Sequence, residues 1–463
     1  MHPGMLMRRT FLPIPIPSRL RAAAARAVAL GVLLLALARP AAAADSDGDC
    51  HVGAYQLGDG RIVDVGSSSG GLRWRGLDGT SGKLTADGAA WSGAHGWTGR
   101  PDGLRVAFGP CGAGTMDFGG AEGRRLDLVA EETAFVSGGV RLEGRLVMPP
   151  GRGRVPIVVL LHGAERDPAR RFEALQRILP GLGVGAFVYD KRGTGASGGT
   201  YTQDFALLAQ DAVAALGAAR RLAGPRAGRL GFHGPSQGGW VAPMAAARSR
   251  VDFVIVSFGL AVSVQEEDLE AIALQMTLKG HGPEAIRKAQ EISMAAGRVW
   301  GSGFTTGFEA FEVVRARYRA EPWFKDVQGN FTHVFLGMTP EALRRAGPDY
   351  AWGTPLDHDP MPTLRALRAP QLWVLGGQDV DAPSAETARR LRGLISSGSP
   401  ITLALYPTAE HGLTEFEVGA DGSRLSTRYA DGYFRMMRDF ATHGRVTPPY
   451  GDAQVEEPHP SSR

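Results

Sequence analysis

In 463 residues there are only two cysteines, Cys50 and Cys111. No clustered Cys/His set, no H-E-x-x-H run and no Walker A pattern occurs, so neither a metal nor a cofactor is expected. No basic stripe interleaved with aromatics follows the first 44 residues, and nucleic acid is not an expected partner. The apolar run Ala27–Ala38 falls short of the roughly 20 residues a membrane span needs. Acidic residues are absent from 1–44, which instead hold six arginines: Arg8, Arg9, Arg19, Arg21, Arg26 and Arg39. A basic leader, a short apolar run and Ala42-Ala43-Ala44 before Asp45 read as a secretory signal peptide over 1–44. Arg8-Arg9-Thr10-Phe11-Leu12 also resembles a twin-arginine signal, and both export routes stay open. Losing the leader takes the formal charge from +4 to −2, so the pI near 9.2 carries no message about nucleic acid.

What remains has the 43% hydrophobic and 21% charged composition of a globular protein of more than one domain, with no stable membrane span. An exported chain, periplasmic or extracellular, lets Cys50 and Cys111 pair as a disulfide, with two free thiols as the alternative. Residues 45–130 are rich in Gly and in short alternating runs. Asp59-Gly60, Asp78-Gly79 and Asp87-Gly88 separate these runs as hairpin turns would. This predicts a small β domain whose Trp74, Trp91 and Trp97 pack in its core or on a sheet face. From Glu131 the pattern changes. Thr133–Met148, split at Ser137-Gly138-Gly139, reads as an antiparallel hairpin. Apolar runs at 156–161, 186–189, 230–232, 253–256, 372–375 and 403–406 then alternate with helical stretches such as 204–222 and 426–441. Such alternation predicts an α/β fold, a mostly parallel sheet with helices on both faces. The core would occupy 131–262 and 369–445. A helical insert at 263–368, opened by a Ser263/Glu266 capping box and with a second start at Thr339-Pro340, would overhang the carboxyl ends of the strands as a cap. Its aromatics (among them Trp300, Phe304, Phe331 and Phe335) would pack its own core or line an acyl pocket. The proline-rich tail, 446–463, reads as disordered.

The chemistry centres on Gly234-Pro235-Ser236-Gln237-Gly238-Gly239. A G-x-S-x-G run between a strand and a helix forces a sharp turn that exposes the serine oxygen beside free N–H groups. Serine is a weak nucleophile alone; it needs a base, and the base an orienting acid. In sheets of this kind the chain order is Ser, then Asp or Glu, then His, each on a loop after a strand. Asp379 follows a strand through Gly376-Gly377-Gln378, with Asp381 as the alternative. His411 follows the last strand; Glu410 beside it should face solvent, and His233 should pack in the sheet. The N–H of Gln237 is one oxyanion donor. The other comes from the loop Leu160-Leu161-His162-Gly163-Ala164, at Ala164 or Gly163, with His162 structural. Gly193-Thr194-Gly195-Ala196-Ser197-Gly198 matches the dinucleotide pattern G-x-G-x-x-G. It opens no helix, however, and Asp211 falls inside a helical stretch rather than at a strand end.

These segments, in order, resemble the α/β-hydrolase superfamily. Leu160-Leu161-His162-Gly163, Tyr189-Asp190-Lys191-Arg192-Gly193-Thr194-Gly195-Ala196-Ser197, the elbow through Trp240, and Gly377-Gln378-Asp379 with Glu410-His411-Gly412 are similar to exported bacterial esterases and serine-aminopeptidase-like hydrolases. The resemblance spans 131–444 without the insert. It implies nucleophile, acid and base at Ser236, Asp379 and His411. The chain departs from the commoner pattern at Ala164-Glu165-Arg166, where small residues often follow His-Gly. An exported serine esterase is the first expectation, acting on a small-molecule ester. A serine aminopeptidase or acyl-peptide hydrolase on short peptides is the second, and would need cap acids (Glu266, Glu267 or Asp268) to hold an ammonium. The β region, about 85 residues, is too short for a propeller of four or more blades. A polymer-binding module on an inert scaffold is the third expectation.

Overall fold

A computed structural model describes residues 48–458; the expected leader, 1–44, lies outside them. Eight antiparallel strands, from Gly53–Leu57 to Ala121–Arg125, form a closed barrel, sealed where the first strand pairs with the eighth. Closure leaves no exposed sheet edge. Three of the seven hairpin connections fall at the Asp-Gly pairs, and Tyr55, Val65, Leu72, Leu84 and Val106 fill the interior. Trp91 belongs to the same core, with Trp74 packed against it. Cys50 and Cys111 form a disulfide that ties the segment before the first strand to the turn between the sixth and seventh.

The second sheet has nine strands. Six run parallel, in spatial order Gly185–Tyr189, Val155–Leu160, Ala227–Pro235, Phe253–Ser257, Gln371–Gly376, Ile401–Tyr406. The hairpin Val129–Ser137/Val140–Met148 adds two antiparallel strands at one side, and Gln454–Glu456 adds one at the other. Alternate residues of one strand enter different cores. Ile157 and Val159 pack with helices Phe205–Ala223, Gly238–Ala247 and Ser384–Ser396, whereas Val158 and Leu160 pack with Leu175–Gly181 and Tyr433–His443. Burial on both faces is why these strands are continuous apolar runs. Strand order reverses between Val155–Leu160 and Ala227–Pro235, and at such a switch point a crevice opens beyond the carboxyl ends.

Between Phe253–Ser257 and Gln371–Gly376 the chain leaves the sheet for a set of helices, the longest being Val264–Leu278, Pro283–Gly301 and Phe308–Tyr318. Ser263 and Glu266 make the capping box, and Thr339 caps the helix that Pro340 opens. Phe304, Phe331 and Phe335 are buried in the insert's own core, with Trp300 packed against them.

Two expectations need correction. The stretch 426–441 is not one helix. Thr414–Val418 and Arg424–Tyr429 form a hairpin, and the helix is Tyr433–His443. The hairpin is held from outside: Tyr429 N–H donates to Gly79 O and Trp97 N–H to Ser426 O, both at 2.8 Å. Nor is the described part of the tail disordered. Tyr450 is fully buried, its hydroxyl bonded to Asp439 at 2.7 Å, and Val455 pairs with Ala404 at the sheet edge. Its prolines limit helix and ladder formation without preventing these anchors.

Candidate active site

Ser236 lies between the strand Ala227–Pro235 and the helix Gly238–Ala247, with a φ of 49° that non-glycine residues rarely adopt. The turn closes because Gly234 has no side chain: a Cβ there would come within 2.1 Å of Gly238 O. Ser236 N–H donates to Ser257 O at 3.0 Å, which fixes the elbow to the neighbouring strand.

The structure brings three of the expected residues together. His411 Nε2 is 3.2 Å from Ser236 Oγ, and His411 Nδ1 is 2.8 Å from Asp379 Oδ2. Asp379 is buried, and its other oxygen accepts the N–H groups of Asp381 and Ala382 at 3.0 and 2.7 Å. That anchoring leaves the carboxylate one direction in which to face, toward the imidazole. Asp381 is exposed and sends only its backbone into this arrangement. The ring of Phe258 packs edge-on against the imidazole at 4.8 Å.

The other histidines have different places. His233 is buried under the elbow with Nε2 3.0 Å from Ser257 Oγ, and burial pushes it down to about 3, so it stays neutral. His162 Nε2 meets Tyr189 O at 2.6 Å. Glu410 departs from expectation. It turns inward and accepts Ser426 Oγ at 2.7 Å, coupling the histidine loop to the hairpin, and burial raises its pKa.

Of the proposed oxyanion donors, Gln237 N–H and Ala164 N–H have no partner among the described residues. Gly163 N–H does: it donates to Glu165 Oε1 at 3.1 Å. Partial desolvation works against the charge of Glu165, whose side chain is 49% exposed, but His162, with Nδ1 3.7 Å from Oε1, and the field of Lys191 prevail and bring it down to about 2. A carboxylate therefore holds the Gly163 donor, which leaves Ala164 as the free one. Of the acids in the insert, Glu266 is committed to Ser263 and Arg390, and Asp268 to Ser293, Thr332 and Phe331. The carboxylate of Glu267 has no hydrogen-bond or ion-pair partner among the described residues, while its N–H donates to Ser263 O at 2.9 Å. It shares a helix stripe with Ala271 and with Gln275, whose amide donates to Val380 O at 3.2 Å, so the stripe faces the loop that carries Asp379. Burial pushes Glu267 well up, the charge of His411 opposes this, and Asp268, Asp379 and Asp381 add to it.

Sequence reasoning passed over Glu165, Lys191 and Phe258. Lys191 carried a signal, standing inside the Asp-Lys-Arg-Gly run. The rest of that run is structural: Asp190 accepts the N–H groups of Arg170 and Ala196, and Arg192 pairs with buried Asp211.

No family model matches the chain. Among solved structures it is similar to the Pyrococcus horikoshii acylaminoacyl peptidase, with 14% identity over 82% of this chain and 54% of that one, at a TM-score of 0.41. It therefore spans about half of that protein. A Pyrococcus furiosus esterase matches at 12% identity over 61% of this chain and 84% of its own, TM-score 0.40. A Mycobacterium tuberculosis puromycin-hydrolyzing peptidase matches at 18% identity over 78% and 50% of the two chains, TM-score 0.38.

Proposed function

We propose that this chain is an exported serine hydrolase of the α/β-hydrolase type that cleaves carboxylic esters through an acyl-enzyme. The observation that carries this reading is the relay from Asp379 through His411 to Ser236, at 2.8 and 3.2 Å. Ser236 Oγ adds to the ester carbonyl carbon while His411 Nε2 takes its proton. Asp379 holds the Nδ1–H tautomer and stabilises the imidazolium. The N–H groups of Gln237 and Ala164 receive the oxyanion. Collapse breaks the bond to the alcohol oxygen, which takes the proton from His411 and leaves, with the acyl group on Ser236. Water, deprotonated by His411, attacks the acyl carbon and releases the acid. The helical insert acts as a cap over this site. The basic leader and the disulfide support a periplasmic or extracellular location.

The test is a panel of p-nitrophenyl esters of increasing acyl length, run on wild type and Ser236→Ala. The reading expects activity on at least one ester and its loss in the variant, by roughly 10⁴-fold or more. Activity unchanged in Ser236→Ala would end it.

Glu267 favours a second reading, a serine aminopeptidase. An unpaired carboxylate beside the loop that carries Asp379 suits a substrate ammonium, which would restore its charge on binding. Under this reading Glu267→Gln raises KM for aminoacyl p-nitroanilides and leaves acyl p-nitrophenyl esters unaffected. Equal effects on both substrate classes would remove it.

A further inference from the structure

The strand Val155–Leu160 ends beside the elbow, and the chain then turns through 161–165. A backbone N–H can wait for a charge that exists only in a transition state if its own peptide plane is held still. A trans peptide unit is rigid, so the Gly163 carbonyl and the Ala164 N–H point in opposite directions. Whatever grips the carbonyl therefore aims the N–H.

The grip comes from Lys191. Its Nζ donates to Gly163 O at 2.9 Å, the only hydrogen bond the ammonium makes among the described residues. The side chain is 2% exposed, and a buried ammonium is a costly way to occupy space that a methionine would fill. The next carbonyl is held in the same way. Tyr201 Oη donates to Ala164 O at 2.6 Å, Gln203 Nε2 donates to Tyr201 Oη at 3.0 Å, and Thr354 Oγ1 of the insert donates to Gln203 Oε1 at 2.7 Å. On the other side Glu165 takes the Gly163 N–H. With the Gly163 N–H taken by Glu165, the Ala164 N–H is the next donor along the turn and has no partner among the described residues. The turn is also in place: a Cβ on Gly163 would lie 3.6 Å from Ser236 Cβ.

We propose that Lys191 is a positioning residue for the oxyanion step, gripping the Gly163 carbonyl so that the Ala164 N–H is aimed beside Ser236 Oγ and polarising that peptide so that it donates more strongly. The proposal rests on the serine-hydrolase reading above. A cation on the carbonyl draws electron density from the amide and strengthens the bond its N–H makes. The charged or titratable groups around Lys191 are Glu165, Arg166 and the Tyr201 ring 4.9 Å away, with His162 beyond Glu165. Burial lowers Lys191 to about 8, against the pull of Glu165 and with the help of Arg166. Glu165 is held at about 2 and Tyr201 is pushed up to about 12, so neither changes charge between pH 7 and 10. Turnover in the wild type should therefore fall as pH rises through about 8, when the ammonium is lost.

The test compares wild type, Lys191→Met and Lys191→Gln on a p-nitrophenyl ester, with Ser236 labelled by a fluorophosphonate to count competent sites. Lys191→Met should lower kcat roughly 10- to 100-fold, part of the 10²–10³ that a lost oxyanion donor costs. KM should stay within about threefold, since the ground-state ester does not need the aimed donor. Affinity for a trifluoromethyl ketone, which forms an oxyanion on Ser236, should weaken in step with kcat/KM. Lys191→Gln, which keeps a neutral donor, should lie between. A Lys191→Met enzyme that labels fully and keeps kcat and ketone affinity within threefold overturns the proposal. Where Lys191→Met does not fold, a wild-type kcat flat from pH 7 to 10, or a Lys191→Gln enzyme equal to wild type, overturns it instead. Failure of the underlying reading looks different: no adduct at Ser236 in the wild type.

Discussion

Among the described residues of the barrel, every residue with positive φ is a glycine, and they recur from Gly60 to Gly120. In the sheet and its loops, three are not: Ser236 at 49°, Phe258 at 42° and Leu413 at 53°. Two of them touch one imidazole, that of His411, and the third follows it in the chain. Ser236 is its hydrogen-bond partner, Phe258 packs edge-on against it, and Leu413 follows it by two residues. Such conformations cost of order 1–3 kcal/mol each and persist only where the surroundings over-determine them. The barrel avoids that cost by using glycine wherever the chain turns back. The sheet accepts it where three loops must converge.

The barrel also supplies part of what holds the strain in place. The hairpin directly after His411 docks on barrel loops through Trp97 N–H to Ser426 O, Tyr429 N–H to Gly79 O and the Arg100–Glu417 pair, each at 2.8 Å. The ring of Trp97 meets Tyr429 edge-on at 5.6 Å. Farther off, Asp64 of the barrel is buried between Arg75 and Arg177, the latter on a helix of the sheet. We read the barrel as a brace for the histidine loop.

The comparison can be broken most severely inside the relay. Asp379→Asn should lower kcat by roughly 10⁴-fold, because an amide stabilises the wrong imidazole tautomer. Asp381→Asn should cost less than tenfold, and steady-state kinetics on one ester would reverse the assignment if the two effects were exchanged. Reduction of Cys50–Cys111, or Cys111→Ser, acts on the barrel alone. With a sequence separation of 61 the loss is about 4 kcal/mol in the chain-entropy model, read as a drop in the melting temperature. Below that temperature the rate of Ser236 labelling should not change. The smallest effect sharpens the comparison most. Gly96 has φ 49°, and a Cβ there would lie 2.3 Å from Thr427 O of the hairpin. Gly96→Ala should destabilise by about 1 kcal/mol or more and lower kcat several-fold by displacing the hairpin. Gly88→Ala, with φ 65° and nothing within 4 Å, carries the backbone penalty without a neighbour to push. It should leave kcat unchanged, and equal kcat losses in the two variants would mean that the barrel does not brace the site.

What was legible in the sequence was local or ordered along the chain. The elbow announces itself within six residues. Asp379 and His411 follow from their places after strands, and the capping box at Ser263 from a spacing of three. What was not legible depends on partners far away. The run Ser426–Tyr429 read as the start of a helix because the partners that hold it as a strand include Gly79 and Trp97, more than 300 residues earlier. The tail read as disordered because its anchors, Asp439 for Tyr450 and the edge strand for Val455, cannot be seen from composition. Glu165 looked like a mere departure from a pattern. Its effect on the Gly163 donor, and the grip of Lys191 on the carbonyl, needed the turn in three dimensions.

The most direct measurement is covalent labelling with a fluorophosphonate, mapped by mass spectrometry, on wild type and His411→Ala. The account predicts a single adduct on the peptide carrying Ser236, formed at least roughly a thousandfold more slowly without the imidazole. No adduct at Ser236, or the same rate in both proteins, would contradict it.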